Sequence, residues 1–174
     1  MSLFRLVYFS RSRLPASVPE RIEAVSNILA TSIARNRAAD ISGGMVFDSN
    51  WFVQVLEGER ENVSATIERI YRDHRHCGVV IAEARPIAHR DFAFWWMAAA
   101  AWREETASIF AQYCGSPYLV PSALPGGTLV DLVGKVMHYE ASHMRTTPYQ
   151  RWLTGWRTGD EGKTWTIGSV TNAA

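Results

Sequence analysis

The segment WFVQVLEG, residues 51–58, decides the fold because it has the pattern of a β-strand that is apolar on both faces. One face carries Phe52, Gln54 and Leu56, and the other carries Val53 and Val55. The turn sequence DSN, residues 48–50, separates this segment from a second strand-like segment, residues 42–47, and predicts a β-hairpin. Because both faces are mostly apolar, the rest of the chain must cover both sides of the sheet.

The elements on either side of the hairpin alternate between strand and helix patterns. In chain order they are a strand over residues 3–10, a helix over 19–34, a helix over 61–72, a strand over 79–84 and a short strand over 92–98. The first helix opens on Pro19 and Glu20, which suit a first helical turn. The order β-α-β-β-α-β-β predicts an α+β fold, a ferredoxin-like sheet with one added strand.

The C-terminal part of the chain is expected to cover the second face of the sheet. The two helices above can cover one face of the sheet, and residues 104–113 and 128–144 have helical patterns suited to the other face. After Thr146 the sequence becomes rich in Pro, Gly, Thr and Trp, which is typical of an appended tail. We therefore predict a domain over residues 1–100, a helical cap over 101–145 and a tail over 146–174.

The composition is that of a globular protein without a strong charge bias. The 174 residues are 47% hydrophobic and 20% charged with a formal net charge of +1, which gives no electrostatic case for nucleic acid or an anionic membrane. No segment approaches the roughly 18 apolar residues of a membrane helix. Cys77 and Cys114 fit two reduced thiols in a cytoplasmic protein, and His138 and His143 are not spaced for a helical metal site. We expect no bound metal.

Polar side chains occur within the otherwise apolar layer beneath the first two helices. Tyr8 and Gln54 lie on strands with apolar neighbours, and Asn36 at the end of the first helix points toward the same layer. A buried phenol or amide needs a hydrogen-bond partner, because leaving it unpaired costs about 1–3 kcal/mol. The three side chains could have a purely structural role and hydrogen-bond to one another. Their convergence also predicts a planar heterocyclic ligand with several hydrogen-bonding edges.

Five short motifs resemble the BLUF family of blue-light sensors that use FAD. They cover residues 3–97 in the order and spacing of that family. The motifs are LFRLVY with Ser10, Arg35-Asn36 with Ile41-Ser42-Gly43, FVQVLEG at residues 52–58, DHRH at residues 73–76 and WWM at residues 95–97. The resemblance implies non-covalent binding of FAD between the two helices, with FMN as the alternative flavin. It also implies a blue-light photoreceptor that signals to a partner protein. Because the sequence carries no GGDEF- or EAL-like catalytic signature, we expect that the chain is not an enzyme.

The resemblance also implies a role for each matching residue. Tyr8 would donate an electron and a proton to the excited flavin, and Gln54 would rearrange between Tyr8 and the flavin ring. Trp95 and Met97 would respond beside Gln54, whereas Trp96 would face the C-terminal helices. The flavin contacts would be Tyr8, Arg35, Asn36, Gln54, Arg69, Asp73, Arg75 and His76. For Asp73 and Arg75 a solvated helix end is the alternative.

The sequence departs from the family pattern at several positions. Gly44 stands where the family usually has Leu, and Trp96 replaces a small Ser, so output geometry is the property most affected.

A small ferredoxin-like enzyme of the acylphosphatase type would need an anion-binding loop that the sequence does not offer. A flavin-free interaction module is the third possibility.

The Trp-rich tail, with Trp152, Trp156 and Trp165, favours a homodimer or larger homo-oligomer through the C-terminal helices and tail.

Overall fold

The computed structural model describes residues 2–143 and the backbone of residues 154–156. The strands are β1 Leu3–Ser12, β2 Ser42–Phe47, β3 Trp51–Glu59, β4 His76–Pro86, β5 Trp95–Ala101 and β6 Thr154–Trp156. The helices are α1 Val18–Ala38, α2 Arg60–Tyr71, α3 Ala107–Cys114 and α4 Gly126–His143, with short 3-10 turns at Glu104–Thr106 and Pro121–Ala123. The predicted α+β fold of the ferredoxin-like type is confirmed. The first helix continues beyond the predicted Ala34, and the chain turns at Asp40, whose φ is 49°.

The strands form one sheet in the order β4-β1-β3-β2-β5-β6. The pairs are antiparallel except β2 with β5, which run parallel. The predicted hairpin is present, and its turn is held by the Asp48 carboxylate, which accepts the backbone N–H groups of Asn50 and Trp51 at 2.7 Å each. The sixth strand was not predicted, since residues 154–156 fall within the predicted tail. The rest of that tail, including Trp152 and Trp165, lies outside the described residues.

Two apolar cores lie on opposite faces of the sheet. On one face α1 and α2 pack their buried side chains, such as Leu29 and Val63, against Leu56 of β3. On the other face α4 packs Leu132 against Val53, together with the buried residues of α3. The prediction that the C-terminal helices cover the second face is therefore confirmed. Among the described residues, no helix combines the length and apolar character needed to cross a bilayer.

The start of β5 differs from the prediction. The strand was expected from about Phe92, but Phe92 lies in a turn that the Trp95 N–H closes by donating to the Phe92 carbonyl at 3.1 Å, and the strand begins at Trp95. An irregularity in the pairing with β6 falls between Trp95 and Met97. As a result Met97 faces α1 and α2, whereas Trp95 joins the core beneath α4. Beyond Met97 the strand carries four consecutive alanines, Ala98–Ala101.

The approach of β2 to β3 predicts a specific cost for a side chain at Gly43. A Cβ atom there would lie 2.0 Å from the backbone carbonyl oxygen of Val55, so the strands would have to separate. We expect Gly43→Ala to lower the free energy of unfolding by about 1–3 kcal/mol. The control is Gly134→Ala in α4, where a Cβ meets nothing within 4 Å, and we expect a gain of about 0.5–1 kcal/mol. Chemical denaturation measures both, and equal stability of the two variants would contradict the prediction.

Candidate functional site

A buried hydrogen bond joins the two strands at the centre of the site. The register places Tyr8 of β1 directly opposite Gln54 of β3. The Tyr8 hydroxyl donates to Oε1 of Gln54 at 2.5 Å, and both side chains are buried. The Gln54 Nε2 amide then donates to Sδ of Met97 at 3.4 Å. The three side chains form a chain of contacts from β1 through β3 to β5.

Burial keeps the Tyr8 phenol protonated. Removal from water raises the pKa of this phenol well above its usual value of 10, and the nearby Asp73 carboxylate raises it further. The neutral phenol therefore acts as the donor to Gln54. This leaves the amide nitrogen of Gln54 directed toward Met97.

Asn36 connects the end of α1 to the start of β5. Its side chain is buried, and its Nδ2 donates to the backbone carbonyl of Trp96 at 2.8 Å. This bond satisfies one donor of the amide and holds the helix against the strand that carries Met97. Asn36 therefore lies in the same layer as Tyr8 and Gln54, where the sequence analysis expected it.

His76 is more deeply placed than the sequence analysis anticipated. It lies at the start of β4 with its Nδ1 2.8 Å from the Ser10 hydroxyl, and its ring packs on Phe52 with 4.5 Å between centroids. The Tyr8 ring meets it edge-on at 6.3 Å. Burial lowers the pKa of His76 to about 4, so the imidazole is neutral at neutral pH. Ser10 was not predicted as a site residue, although it shares the face of Tyr8 two residues along the strand.

Asp73 and Arg75 form a charged pair at the mouth of the site. The Arg75 guanidinium donates to both Asp73 oxygens, with Nη2 at 2.5 Å from Oδ2, and its Nη1 donates to Asn27 of α1 at 3.0 Å. The hydrogen bond from Arg75 holds the pKa of Asp73 at about 2, so the carboxylate stays ionised. The pair therefore links the loop after α2 to α1 across the cleft between the two helices.

These residues line one cleft between α1 and α2. Its volume is about 80 Å³, and all eight predicted flavin contacts contribute to its walls. Arg35 and Arg69 are exposed at its rim, and Arg69 donates to the Thr66 hydroxyl at 2.7 Å. Met97 borders the cleft through its contact with Gln54. The other wall residues are Ile28, Thr31, Ser32, Met45, Thr66 and Ile70.

The chemistry of this cleft fits a flavin. Apolar side chains of α1 and α2 flank a floor of hydrogen-bonding groups, which suits a planar ring with a polar edge. Arg35 and Arg69 supply positive charge at the exposed rim, which suits an anionic group of a ligand.

Trp95 does not lie with the other predicted site residues. Its ring packs against Phe92 at 6.1 Å between centroids and meets the His138 ring of α4 edge-on at 5.7 Å. The expectation that Trp95 and Met97 both face Gln54 is therefore corrected. Strict alternation along β5 fails because the strand is irregular between these two residues. Trp95 is directed to α4 of the C-terminal helices.

A larger cavity, of about 600 Å³, lies at the other end of α1. Its walls include Phe47, Trp102 and Tyr118. Its polar groups are already engaged at two places, since Arg21 donates to backbone carbonyls of the preceding loop and Asp48 holds the hairpin turn. By size alone this cavity would be the better candidate for a ligand site. The buried polar groups that converge on one point, however, lie in the α1–α2 cleft.

Comparison with known proteins gives a consistent result for the first part of the chain. The family described as "BLUF: Sensors of blue-light using FAD" matches residues 3–98. Photoactivated adenylate cyclase subunit beta of Euglena longa is 31% identical over 107 residues, which are 62% of this chain and 12% of that protein. Subunit alpha of the Euglena gracilis enzyme is 35% identical over 88 residues, 51% of this chain and 8% of that protein. The chain thus spans about a tenth of the length of these relatives.

Two solved structures share the fold. The photo-activated state of BlsA matches with a TM-score of 0.68 at 24% identity, covering 78% of this chain and 94% of that one. The dark-state structure of BlrB, titled a BLUF protein, matches with a TM-score of 0.64 at 24% identity, covering 78% of this chain and 97% of that one. At this identity the likeness concerns the fold alone.

The environment of His76 predicts a dependence of stability on pH. Its folded-state pKa of about 4 lies below its ordinary value of 6.5, so the unfolded chain binds the proton more readily between these pH values. The stabilisation is complete above pH 6.5 and is lost as the pH falls toward 4. At pH 4.5 we expect a loss on the order of 2 kcal/mol in the free energy of unfolding.

Chemical denaturation of wild type and His76→Gln at pH 7 and pH 4.5 tests this expectation. The glutamine variant should lose much less stability between the two pH values, because glutamine does not titrate. Asp73 does not confuse the comparison, since its ordinary pKa of 3.8 and its folded-state pKa of about 2 both lie below pH 4.5. An equal loss in both proteins would show that His76 is not the titrating group.

Proposed function

This chain belongs to the BLUF family of sensors of blue light using FAD, and we propose that it is a photoreceptor that binds FAD non-covalently and signals through Tyr8 and Gln54. The observation that carries this proposal is the buried chain of contacts from the Tyr8 hydroxyl through the Gln54 amide to Met97 Sδ. A light-driven change at Tyr8 would reach β5 through a single side chain.

The cleft residues hold the flavin in this proposal. Asn36 and Gln54 offer amide groups to the polar edge of the ring system, and the sides of α1 and α2 supply apolar contact. Arg69 stands on the α2 rim of the cleft. Asp73, Arg75 and His76 would lie along the ribityl chain toward the phosphates, with Arg35 on the α1 rim. FAD, rather than FMN, is the cofactor that the family description names.

A bound flavin would supply absorption of blue light and, when excited, an acceptor for one electron. Tyr8 is the donor in this scheme. A neutral phenol is a weak acid, but it becomes a strong one on losing an electron, and Gln54 Oε1 stands ready to accept the proton at 2.5 Å. The electron and the proton can both return, so no covalent change remains on the protein and the dark state recovers.

Gln54 is the group that retains the change. Its amide has a donor end and an acceptor end of nearly equal size, so rotation or tautomerisation exchanges them with little steric cost. The contact with Met97 Sδ responds directly, because it depends on the nitrogen facing that sulfur. Met97 then passes the change to β5. Trp95 contributes on the opposite face, through its contact with His138 of α4.

The output of this chain is, we propose, an interaction with a partner protein in the cytoplasm rather than catalysis. The relatives named as adenylate cyclases are about ten times longer than the matched region. Residues 99–143, beyond the family match, carry helices that cover the sheet, and the sequence contains no GGDEF or EAL signature of cyclic dinucleotide enzymes. Catalysis by a separate partner is compatible with this role.

Tyr8→Phe tests the photochemical part of the proposal. The variant keeps the buried ring and should still bind flavin, giving a yellow protein with ordinary flavin absorption. It should lose the light-induced red shift of the visible spectrum, because the proton donor to Gln54 is absent. Tyr71→Phe is the control, since Tyr71 is 53% exposed and outside the cleft, and it should shift like wild type. A normal shift in Tyr8→Phe would remove Tyr8 from the mechanism.

The same preparations identify the cofactor. Heat or acid releases a non-covalent flavin, and chromatography against FAD and FMN standards then shows which one is bound. A colourless wild-type protein that fails to take up either flavin would overturn the proposed function.

We also propose that the protein forms a homodimer or larger homo-oligomer through its C-terminal helices and tail. The high Trp content of the tail and the exposed Tyr118, at 58%, support an apolar surface in this region. Multi-angle light scattering at tens of micromolar should give at least twice the 19.5 kDa of the chain. A monomeric mass in the dark and after illumination would rule this out.

A further inference from the structure

Glu57 is a buried carboxylate that the Tyr8–Gln54 contacts do not use. It lies on β3 three residues after Gln54, directly opposite Arg5 of β1, and it is completely buried. Its Oε1 accepts from Nε of Arg5 at 2.8 Å. An ionised carboxylate at such depth needs both a charge partner and full hydrogen bonding, because an unpaired buried charge is very costly.

The second carboxylate oxygen is directed at the loop that leads into β5. Oε2 of Glu57 accepts the backbone N–H of Phe92 at 2.9 Å. Phe92 is itself only 1% exposed, and its ring lies against Gly44, where an added Cβ would come within 3.1 Å of it. The Phe92 carbonyl then accepts the N–H of Trp95 at 3.1 Å. Glu57 thus fixes the turn from which β5 starts.

Two arginines bind the same loop to the end of the sheet. Arg5 also contacts the carboxylate of Asp91, which is half exposed. Arg90 donates to the Ser42 hydroxyl at 3.1 Å, to the Glu57 carbonyl at 3.2 Å and to the Asp40 carbonyl at 2.7 Å. Of these ties, the bond from Glu57 to Phe92 is the one nearest to Trp95 in the chain and the most deeply buried.

The position of this turn decides which side chains of β5 face Gln54. The irregularity of the strand lies between Trp95 and Met97, immediately after the anchored turn. With Phe92 held in place, Trp95 is directed toward His138 of α4 and Met97 toward Gln54. In a regular strand Trp95 would share the face of Met97, because residues two apart point to the same side of a sheet.

We propose that Glu57 is a positioning residue: its hydrogen bond to the Phe92 amide sets the start of β5 and so selects Met97, rather than Trp95, as the neighbour of Gln54. This role of Glu57 applies to the protein in the dark. It rests on the proposed function only in that Met97, as the neighbour of Gln54, would receive the light signal.

Amide hydrogen exchange of the wild-type protein gives a test that requires no variant. The Phe92 amide lies in a loop, yet it should exchange at least about 100-fold more slowly than the amide of the neighbouring Phe94, whose side chain is 66% exposed. Exchange of both amides at similar rates would overturn the proposal, because the bond from Glu57 would then not hold the turn.

Two acidic variants beside Arg5 form a matched pair. Glu57→Asp keeps the buried negative charge but shortens the side chain by one methylene, so it cannot serve both Arg5 and the Phe92 amide. Asp91→Asn removes another carboxylate that contacts Arg5 and leaves the bond to Phe92 intact. The readout is the nuclear Overhauser effect between the Trp95 indole, assigned with Trp95→Phe, and the His138 ring.

We expect Glu57→Asp to weaken this effect at least twofold and Asp91→Asn to leave it unchanged. A wild-type signal in Glu57→Asp, or equal losses in both variants, would overturn the proposal. If Glu57→Asp does not fold, the exchange rate of Phe92 decides alone. These measurements use the dark protein, whereas failure of the proposed function appears as a wild-type protein without a red shift, so the two failures are distinguishable.

Discussion

The central strand β3 is buried on both faces, and its polar side chains therefore cannot reach water. Gln54 points into the layer beneath α1 and α2, and Glu57 lies at the end of the strand beside Arg5. Each must be satisfied by neighbouring strands, because an unpaired buried group costs more than a typical hydrogen bond contributes. Tyr8 and Met97 satisfy the first, and Arg5 and the Phe92 amide satisfy the second. One burial constraint thus produces both the candidate site and the anchor of β5.

Part of this arrangement could be predicted from the sequence. Regular alternation in β1 and β3 was enough to place Tyr8 and Gln54 on the same face, and their direct pairing followed from the antiparallel register. Trp95 was placed on the wrong face, because alternation cannot report an irregularity in the strand. The contact of His76 with Ser10 joins residues 66 positions apart, and its depth depends on where β4 begins. Strand β6 was missed because its three residues are too few for a pattern.

Two side chains that line the cleft tie α1 to neighbouring elements. Asn36 ties the end of α1 to β5, and Arg75 joins the loop after α2 to Asn27 of α1. The Arg75 contact with Asn27 is exposed, and hydrogen bonds of that kind are easily exchanged for water. The Asn36 contact is buried and holds the helix to the responding strand. Of these two ties of α1, the buried one at Asn36 is therefore the more persistent.

The alanine run of β5 has a mechanical consequence. Ala98, Ala99 and Ala100 are fully buried, and each presents only a methyl group to the layers above and below the strand. Larger side chains would interdigitate with those layers, and a shift of the strand along its axis would then require several side chains to repack at once. A methyl-lined strand instead meets nearly the same surroundings after a small axial shift. The side chains of β5 therefore offer little resistance to a small shift along the strand axis, and the main resistance comes from its backbone pairing with β2 and β6.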